Sequence, residues 1–99
     1  MELRQLIHGI DILEITGSTD VEVSSIQSDS RKIERNHLFV AVRGVSVDGH
    51  TYIQSAIEKG ATVIVCEEIP LSDKEVDGTG QIPTYIRVKD SAETLGLLL

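Results

Sequence analysis

The residues with the clearest chemical potential lie in GVSVDGHT, 44–51, where Gly-x4-Gly-His-Thr differs at one position from the phosphate-cradling pattern Gly-x4-Gly-Lys-Ser/Thr. The working form of that loop has three parts: backbone N–H groups that converge on the phosphates, a lysine that neutralises them and a hydroxyl that holds Mg²⁺. Here His50 stands at the lysine position, and Asp48 places a carboxylate where the phosphates would lie. At a surface-like dielectric, a carboxylate about 4 Å from a phosphate costs on the order of 4 kcal/mol per unit charge. As a triphosphate site the loop fails. Gly44 as a turn, Asp48 as a helix cap and Gly49 as relief of crowding account for most of it without a ligand. Its place between a strand and a helix still suits a small anionic or nucleoside ligand, and backbone groups at Val45, Ser46 and Val47 could pair with a nucleobase edge.

A second polar loop, SDSRKIERN at 28–36, carries hydroxyls at Ser28 and Ser30 and positive charge at Arg31 and Lys32. Ser28-Asp29-Ser30 equally reads as an Asx or Ser turn, with Arg31 paired to Asp29 or Asp48. Turn and site stand as equal readings. His8, His37 and His50, taken with Asp29 or Asp48, lack recognised zinc spacing, so no metal site is expected. Glu67-Glu68 at a strand end reads as a solvated terminus before it reads as a paired-carboxylate site.

The elements that must position these loops follow from periodicity. ELRQLIH, 2–8, sets Leu3, Leu6 and Ile7 on one helical face, and Gly9 can end the turn. IDILEIT, 10–16, predicts a short strand, and VEVSSIQ, 21–27, predicts another that runs into the 28–36 loop. HLFVAVR, 37–43, is the most continuous apolar run and predicts a central strand buried on both faces. DGHTYIQSAIEKG predicts a helix with Tyr52, Ile53, Ala56 and Ile57 on its buried stripe and Gly60 as its stop. ATVIVCEE predicts a second buried strand, so 37–67 reads as a parallel strand–helix–strand unit. The segment 69–83 is a loop by composition, TYIRVK is a third strand of the same kind, and Asp90 with Glu93 opens a closing helix as a capping box. The fold class is α/β: one small domain, a mixed sheet with flanking helices.

Composition sets limits. Ninety-nine residues make one domain, and the 40% apolar and 25% charged shares are ordinary for a globular chain. A formal charge of −7 disfavours nucleic acid and anionic membrane as partners. Three aromatics and no Trp argue against a stacking platform for single strands. Cys66, the one cysteine, is expected to be a buried core residue in a reducing, cytoplasmic setting. SAETLGLLL stops on bare leucines without a helix-ending residue, which suggests a fragment of a longer protein.

The two loops together carry a resemblance. DSRKIERNHLFVAVRGVSVDGHTYIQSAIEKGATVIVCEE resembles the N-terminal domain of the Mur ligases, whose pattern is Asp-Ser-Arg, a spacer, Leu-Phe-Val-Ala, Gly, Asp-Gly-His, an apolar helix and Gly-Ala. The match runs from about Ser24 to Glu68, and it is most similar to the branch that adds the third residue to UDP-N-acetylmuramoyl-L-alanyl-D-glutamate. The sister branch adding D-Ala-D-Ala usually has Thr where Ser30 stands and ranks second.

The resemblance implies that residues 1–99 bind the UDP end of a muramyl-peptide precursor, as the first domain of an ATP-dependent ligase adding meso-diaminopimelate or L-lysine. It implies Ser30, with Ser28 beside it, at the diphosphate and Val45, Ser46 and Val47 around the uracil, with Asp29, Arg31, Asp48, Gly49 and His50 supporting. It also implies that ATP, Mg²⁺ and the catalytic residues belong to central and C-terminal domains outside this chain, the central one packing near Leu95, Leu97, Leu98 and Leu99. Ser28 stands where members often carry an apolar residue. Asn36 replaces a common Gly at a position where Asn accepts left-handed backbone. The rival expectation is a stand-alone α/β interaction module that binds no nucleotide.

Overall fold

The computed structural model describes residues 1–43, 48–70 and 83–99. Five strands form one mixed sheet in the order β1-β5-β4-β3-β2. They are β1 (Glu14–Thr16), β2 (Ser25–Gln27), β3 (His37–Val40), β4 (Val63–Cys66) and β5 (Thr84–Arg87). The neighbours from β2 to β5 run parallel, and β1 closes the far edge antiparallel to β5, with Ile15 opposite Ile86. The helices are α1 (Leu3–Leu6), α2 (Ile53–Glu58) and α3 (Ser91–Leu98).

Strands β3 and β4 are buried at every residue, as continuous apolar runs covered on both faces should be. Their side chains alternate between two cores. Phe39, Ala41, Ile64 and Cys66 face α2 with Ile53, Ala56 and Ile57, while Leu38, Val40, Val63 and Val65 face Leu3, Val23 and Leu98. Each fully buried Leu, Ile, Val or Phe contributes roughly 1.5–3 kcal/mol. The parallel β3–α2–β4 unit expected at 37–67 is present.

Several elements differ from their sequence expectations. The 10–16 strand shrinks to Glu14–Thr16, and Leu13 and Ile15 are exposed because β1 is an edge with one neighbour. Val21–Val23 forms no strand; Glu22 makes one isolated bridge to Glu2, and the strand proper begins at Ser25. The helix after residue 48 opens as a 3₁₀ turn, Gly49–Tyr52, before α2 begins at Ile53. Tighter winding there carries Tyr52 off the buried stripe, so it is exposed rather than core. Leu98 packs into this domain's own core, and only Leu97 and Leu99 are left largely exposed. The expected 69–83 loop lies for the most part outside the described residues.

Two backbone positions hold the frame behind the site. Asn36 has φ 64°, and its N–H donates to the Gly60 carbonyl at 3.0 Å. Gly60 has φ +117°, and a Cβ there would stand 2.9 Å from Arg35 Cα, so glycine is required where α2 turns into β4. Asp90 caps α3 by accepting from the Glu93 N–H at 3.1 Å. Among the described residues no helix is long and apolar enough to cross a membrane.

Candidate functional site

Strands β2 and β3 are parallel neighbours, so the loops leaving their carboxyl ends emerge side by side. The polar 28–31 segment follows β2, and Val42 followed by the 49–52 turn comes after β3. Together they enclose a cleft of about 410 Å³, lined among the described residues by Ser28, Asp29, Ser30, Arg31, Val42, Gly49 and Tyr52. That volume falls in the range of small-molecule sites. Val45, Ser46 and Val47 lie outside the described residues; Val42 and Gly49, which flank that segment, both face the cleft.

The first loop is folded by its own side chains. Gln27 Oε1 accepts from the Ser28 and Asp29 N–H groups at 3.1 and 3.2 Å. Asp29 then caps a 3₁₀ turn, Ser30–Lys32, by accepting from the Arg31 N–H at 3.0 Å. Of the two partners the sequence left open for Arg31, the fold selects Asp29: Nε and Nη2 donate to its two oxygens at 3.0 and 2.9 Å. Those side-chain bonds, with the backbone bond behind them, hold the Asp29 carboxyl at about 2, well below the ordinary aspartate value. The same bonds to Asp29, with a smaller contribution from Tyr52, raise Arg31. The pair leaves little net charge in the cleft. Ser30 is buried to 8% exposure and its carbonyl accepts from Lys59 Nζ at 3.2 Å, but its hydroxyl makes no hydrogen bond within the described residues.

The second loop is built around His50. Asp48 accepts from the His50 N–H at 3.0 Å and lies 2.7 Å from His50 Nδ1. His50 Nε2 accepts from the Glu67 and Glu68 N–H groups, at 2.9 and 3.3 Å, at the end of β4. Two N–H groups aimed at Nε2 require a lone pair there, so the ring proton sits on Nδ1, facing Asp48. Arg43 reaches Asp48, Glu67 and Glu68 at 3.4–3.5 Å, and its own N–H donates to Ser91 Oγ at 3.2 Å. Glu67 Oε2 in turn accepts from the Ser91 N–H and Oγ at 2.9 and 2.8 Å. The result is a ring of polar contacts tying the base of the 43–48 loop to β4 and to the start of α3.

These contacts decide what the loop can hold. The side chain at the lysine position is turned into the protein, 13% exposed and committed at both ring nitrogens. Asp48 is held ionised by the His50 N–H first and by Arg43 among its lesser causes. The residues present therefore do not fit a nucleoside triphosphate with its Mg²⁺. Glu67 is likewise lowered, chiefly by the Ser91 backbone bond, and its carboxylate is engaged in holding the start of α3. Among the described residues no group of three or more His, Cys, Asp or Glu is arranged to hold a metal ion.

Of the site residues singled out in the sequence, Ser28, Asp29, Ser30, Arg31 and Gly49 line this cleft, Asp48 and His50 do not, and Val42 and Tyr52 line it without having been singled out for the site. The signal for Tyr52 was its chemistry: a phenol within the first turn after a polar loop tends to keep its hydroxyl in water. Gly49 lies close against the main chain leaving β3. A Cβ there would stand 2.7 Å from Val42 N and 2.8 Å from Val42 O.

A family model described as the Mur ligase family, catalytic domain, matches residues 22–99. The chain belongs to the Mur ligase family. Among curated proteins, this Mur ligase chain is 52% identical over 99 residues to the UDP-N-acetylmuramoyl-L-alanyl-D-glutamate–2,6-diaminopimelate ligase of Parabacteroides distasonis. It is 48% identical over 98 residues to the enzyme of the same name from Cytophaga hutchinsonii. The alignments cover 100% and 99% of this chain but 19% of each relative, so it spans about a fifth of their length. Among solved structures, the UDP-N-acetylmuramoylalanyl-D-glutamyl-2,6-diaminopimelate–D-alanyl-D-alanyl ligase of Acinetobacter baumannii superposes with a TM-score of 0.72 at 21% identity. That superposition covers 96% of this chain and 20% of the other, and it shows the shared fold.

Proposed function

We propose that this Mur ligase chain grips the UDP end of UDP-N-acetylmuramoyl-L-alanyl-D-glutamate, as the nucleotide-binding part of a ligase that adds the third peptide residue, meso-diaminopimelate or L-lysine. The observation that carries the reading is the meeting of the 28–31 and 49–52 loops in one cleft, with the Ser30 hydroxyl at its wall and without a hydrogen bond among the described residues. Ser30 donates to the diphosphate with Ser28 beside it. Peptide groups of Val45, Ser46 and Val47 read the uracil. Asp29, Arg31, Asp48, Gly49 and His50 shape the two loops through the contacts described above.

The choice of third-residue branch rests on the 48–52% identity to diaminopimelate ligases over nearly the whole chain. In such a ligase ATP with Mg²⁺ supplies the activation of the D-glutamate carboxyl, and that chemistry belongs to the remaining four-fifths of the relatives' length. The exposed Leu97 and Leu99 would pack against that remainder. The single cysteine suits a cytoplasmic enzyme.

The test is NMR titration of the 99-residue chain with UDP, UMP and uridine. Amides of 28–32 and 44–50 should shift with UDP. Ser30→Ala should weaken UDP more than UMP or uridine, by roughly 10- to 150-fold for one lost hydrogen bond to a charged group. Equal losses for all three ligands would reject the diphosphate role, and no shifts at millimolar UDP would favour an interaction module that binds no nucleotide.

A further inference from the structure

The chain has three aromatic side chains, and two of them are core: Phe39 is 1% exposed and Tyr85 3%. Tyr52 is 43% exposed and lines the cleft. It sits at the 3₁₀-to-α junction, where the change of winding turns it away from the stripe formed by Ile53, Ala56 and Ile57. The backbone beneath is rigid on both sides: Gly49 N–H donates to the Val42 carbonyl at 2.8 Å, and Ile53 is buried at 3% exposure. The phenol ring is therefore an exposed apolar face, anchored through its backbone, on a cleft whose other named walls are small or polar. Arg31 lines the same cleft with two of its donors already spent on Asp29, so it presents a plane and little net charge.

With Arg31 neutralised by Asp29, the charge beside the cleft is mainly that of Lys59 on the Ser30 carbonyl, so long-range attraction for phosphates is modest. Affinity for a nucleotide must then come largely from its flat, weakly hydrated part. An exposed aromatic face is the group suited to that task, because every base has a π-face to set against it.

We propose that Tyr52 is a further ligand-contacting residue of the cleft, on whose ring the heterocycle of the bound nucleoside stacks. The inference rests on the nucleotide-binding reading above and deepens it. Stacking is tolerant of base identity, so Tyr52 supplies affinity, while discrimination among bases is left to hydrogen-bonding groups.

The chain lacks Trp and its other tyrosine is buried, so ligand stacking has its own optical readout, quenching of tyrosine emission. The experiment measures UDP, uridine, adenosine and inorganic pyrophosphate binding by NMR for the parent chain and for Tyr52→Phe, Tyr52→Leu and Tyr52→Ala. UDP should quench the parent's tyrosine emission. Tyr52→Phe should bind within about twofold of the parent without that quench, while the Leu and Ala variants lose about 5- to 30-fold on UDP and on uridine. Pyrophosphate should bind all four alike. Parent-like UDP affinity in Tyr52→Ala, or an emission unmoved by UDP in the parent, overturns the proposal. So does an equal loss of pyrophosphate and uridine, which would mean a distorted loop. If UDP failed to bind but adenosine bound in a Tyr52-dependent way, the stacking role would stand and the uridine reading would fall. Absence of binding by any nucleoside would overturn both.

Discussion

Gly49→Ala tests the close approach on which the cleft depends. The added methyl would stand 2.7 Å from Val42 N, 2.8 Å from Val42 O and 3.0 Å from Ala41 C, against 3.4 Å and above for ordinary contact. All three atoms are main chain at the exit of β3, so no side chain can rotate out of the way. Separating the two segments also lengthens the Gly49 N–H bond to the Val42 carbonyl, 2.8 Å in the parent. Overpacking of this kind costs roughly 1–3 kcal/mol, and loss of the hydrogen bond adds about 1 kcal/mol. The expected destabilisation is about 2–4 kcal/mol, which in a domain of this size lowers Tm by roughly 10–25 °C. Gly96→Ala is the matched control. Gly96 is exposed in α3 with nothing within 4 Å of the added Cβ, so the same chemical change there should stabilise by up to about 1 kcal/mol. Urea unfolding followed by circular dichroism measures both. A Gly49→Ala chain within about 0.5 kcal/mol of its parent, with cleft amides unmoved, would refute the packing argument.

Two further outcomes follow from the polar contacts. Asp29 has its carboxyl depressed to about 2 by Arg31, so its contribution to stability is present above the unfolded value near 4 and is lost as pH falls towards 2. Carboxyl-carbon NMR should give it a midpoint near 2, and Asp29→Asn should flatten the stability profile in that window; a midpoint at or above 3.8 would contradict the bidentate pairing. His50→Ala removes the contacts to Asp48 and to the Glu67 and Glu68 amides and should cost about 1–3 kcal/mol. A double-mutant cycle with Asp48→Ala should show coupling of at least about 0.5 kcal/mol, and strict additivity would break the ring apart.

The apolar alternation of β3 and β4 feeds both cores of the fold, and cores tolerate substitution that keeps volume and pattern. Asp-Ser-Arg and Asp-Gly-His are the segments whose side chains fold their own loops, through Asp29 onto the Arg31 N–H and Asp48 onto the His50 N–H.

Local chemistry was therefore legible in advance. A short continuous apolar run between turn signals fits a strand covered on both faces, an Asp two or three residues ahead of a free N–H caps it, and Asn36 takes a left-handed backbone otherwise suited to glycine. The failure of GVSVDGHT as a triphosphate loop was likewise decided by two side chains and Coulomb's law. What no local pattern contains is the order of strands. That order brings Glu14 beside Arg87 and sets Ser91 against Arg43 and Glu67. It also points His50 at amides seventeen and eighteen residues away. Such pairings depend on which loops leave the sheet side by side, and Tyr52 faces the cleft only because one turn winds as 3₁₀ against that sheet. Periodicity and caps act over three or four residues, whereas the partners of a side chain at a sheet's end are chosen by the packing of the whole layer.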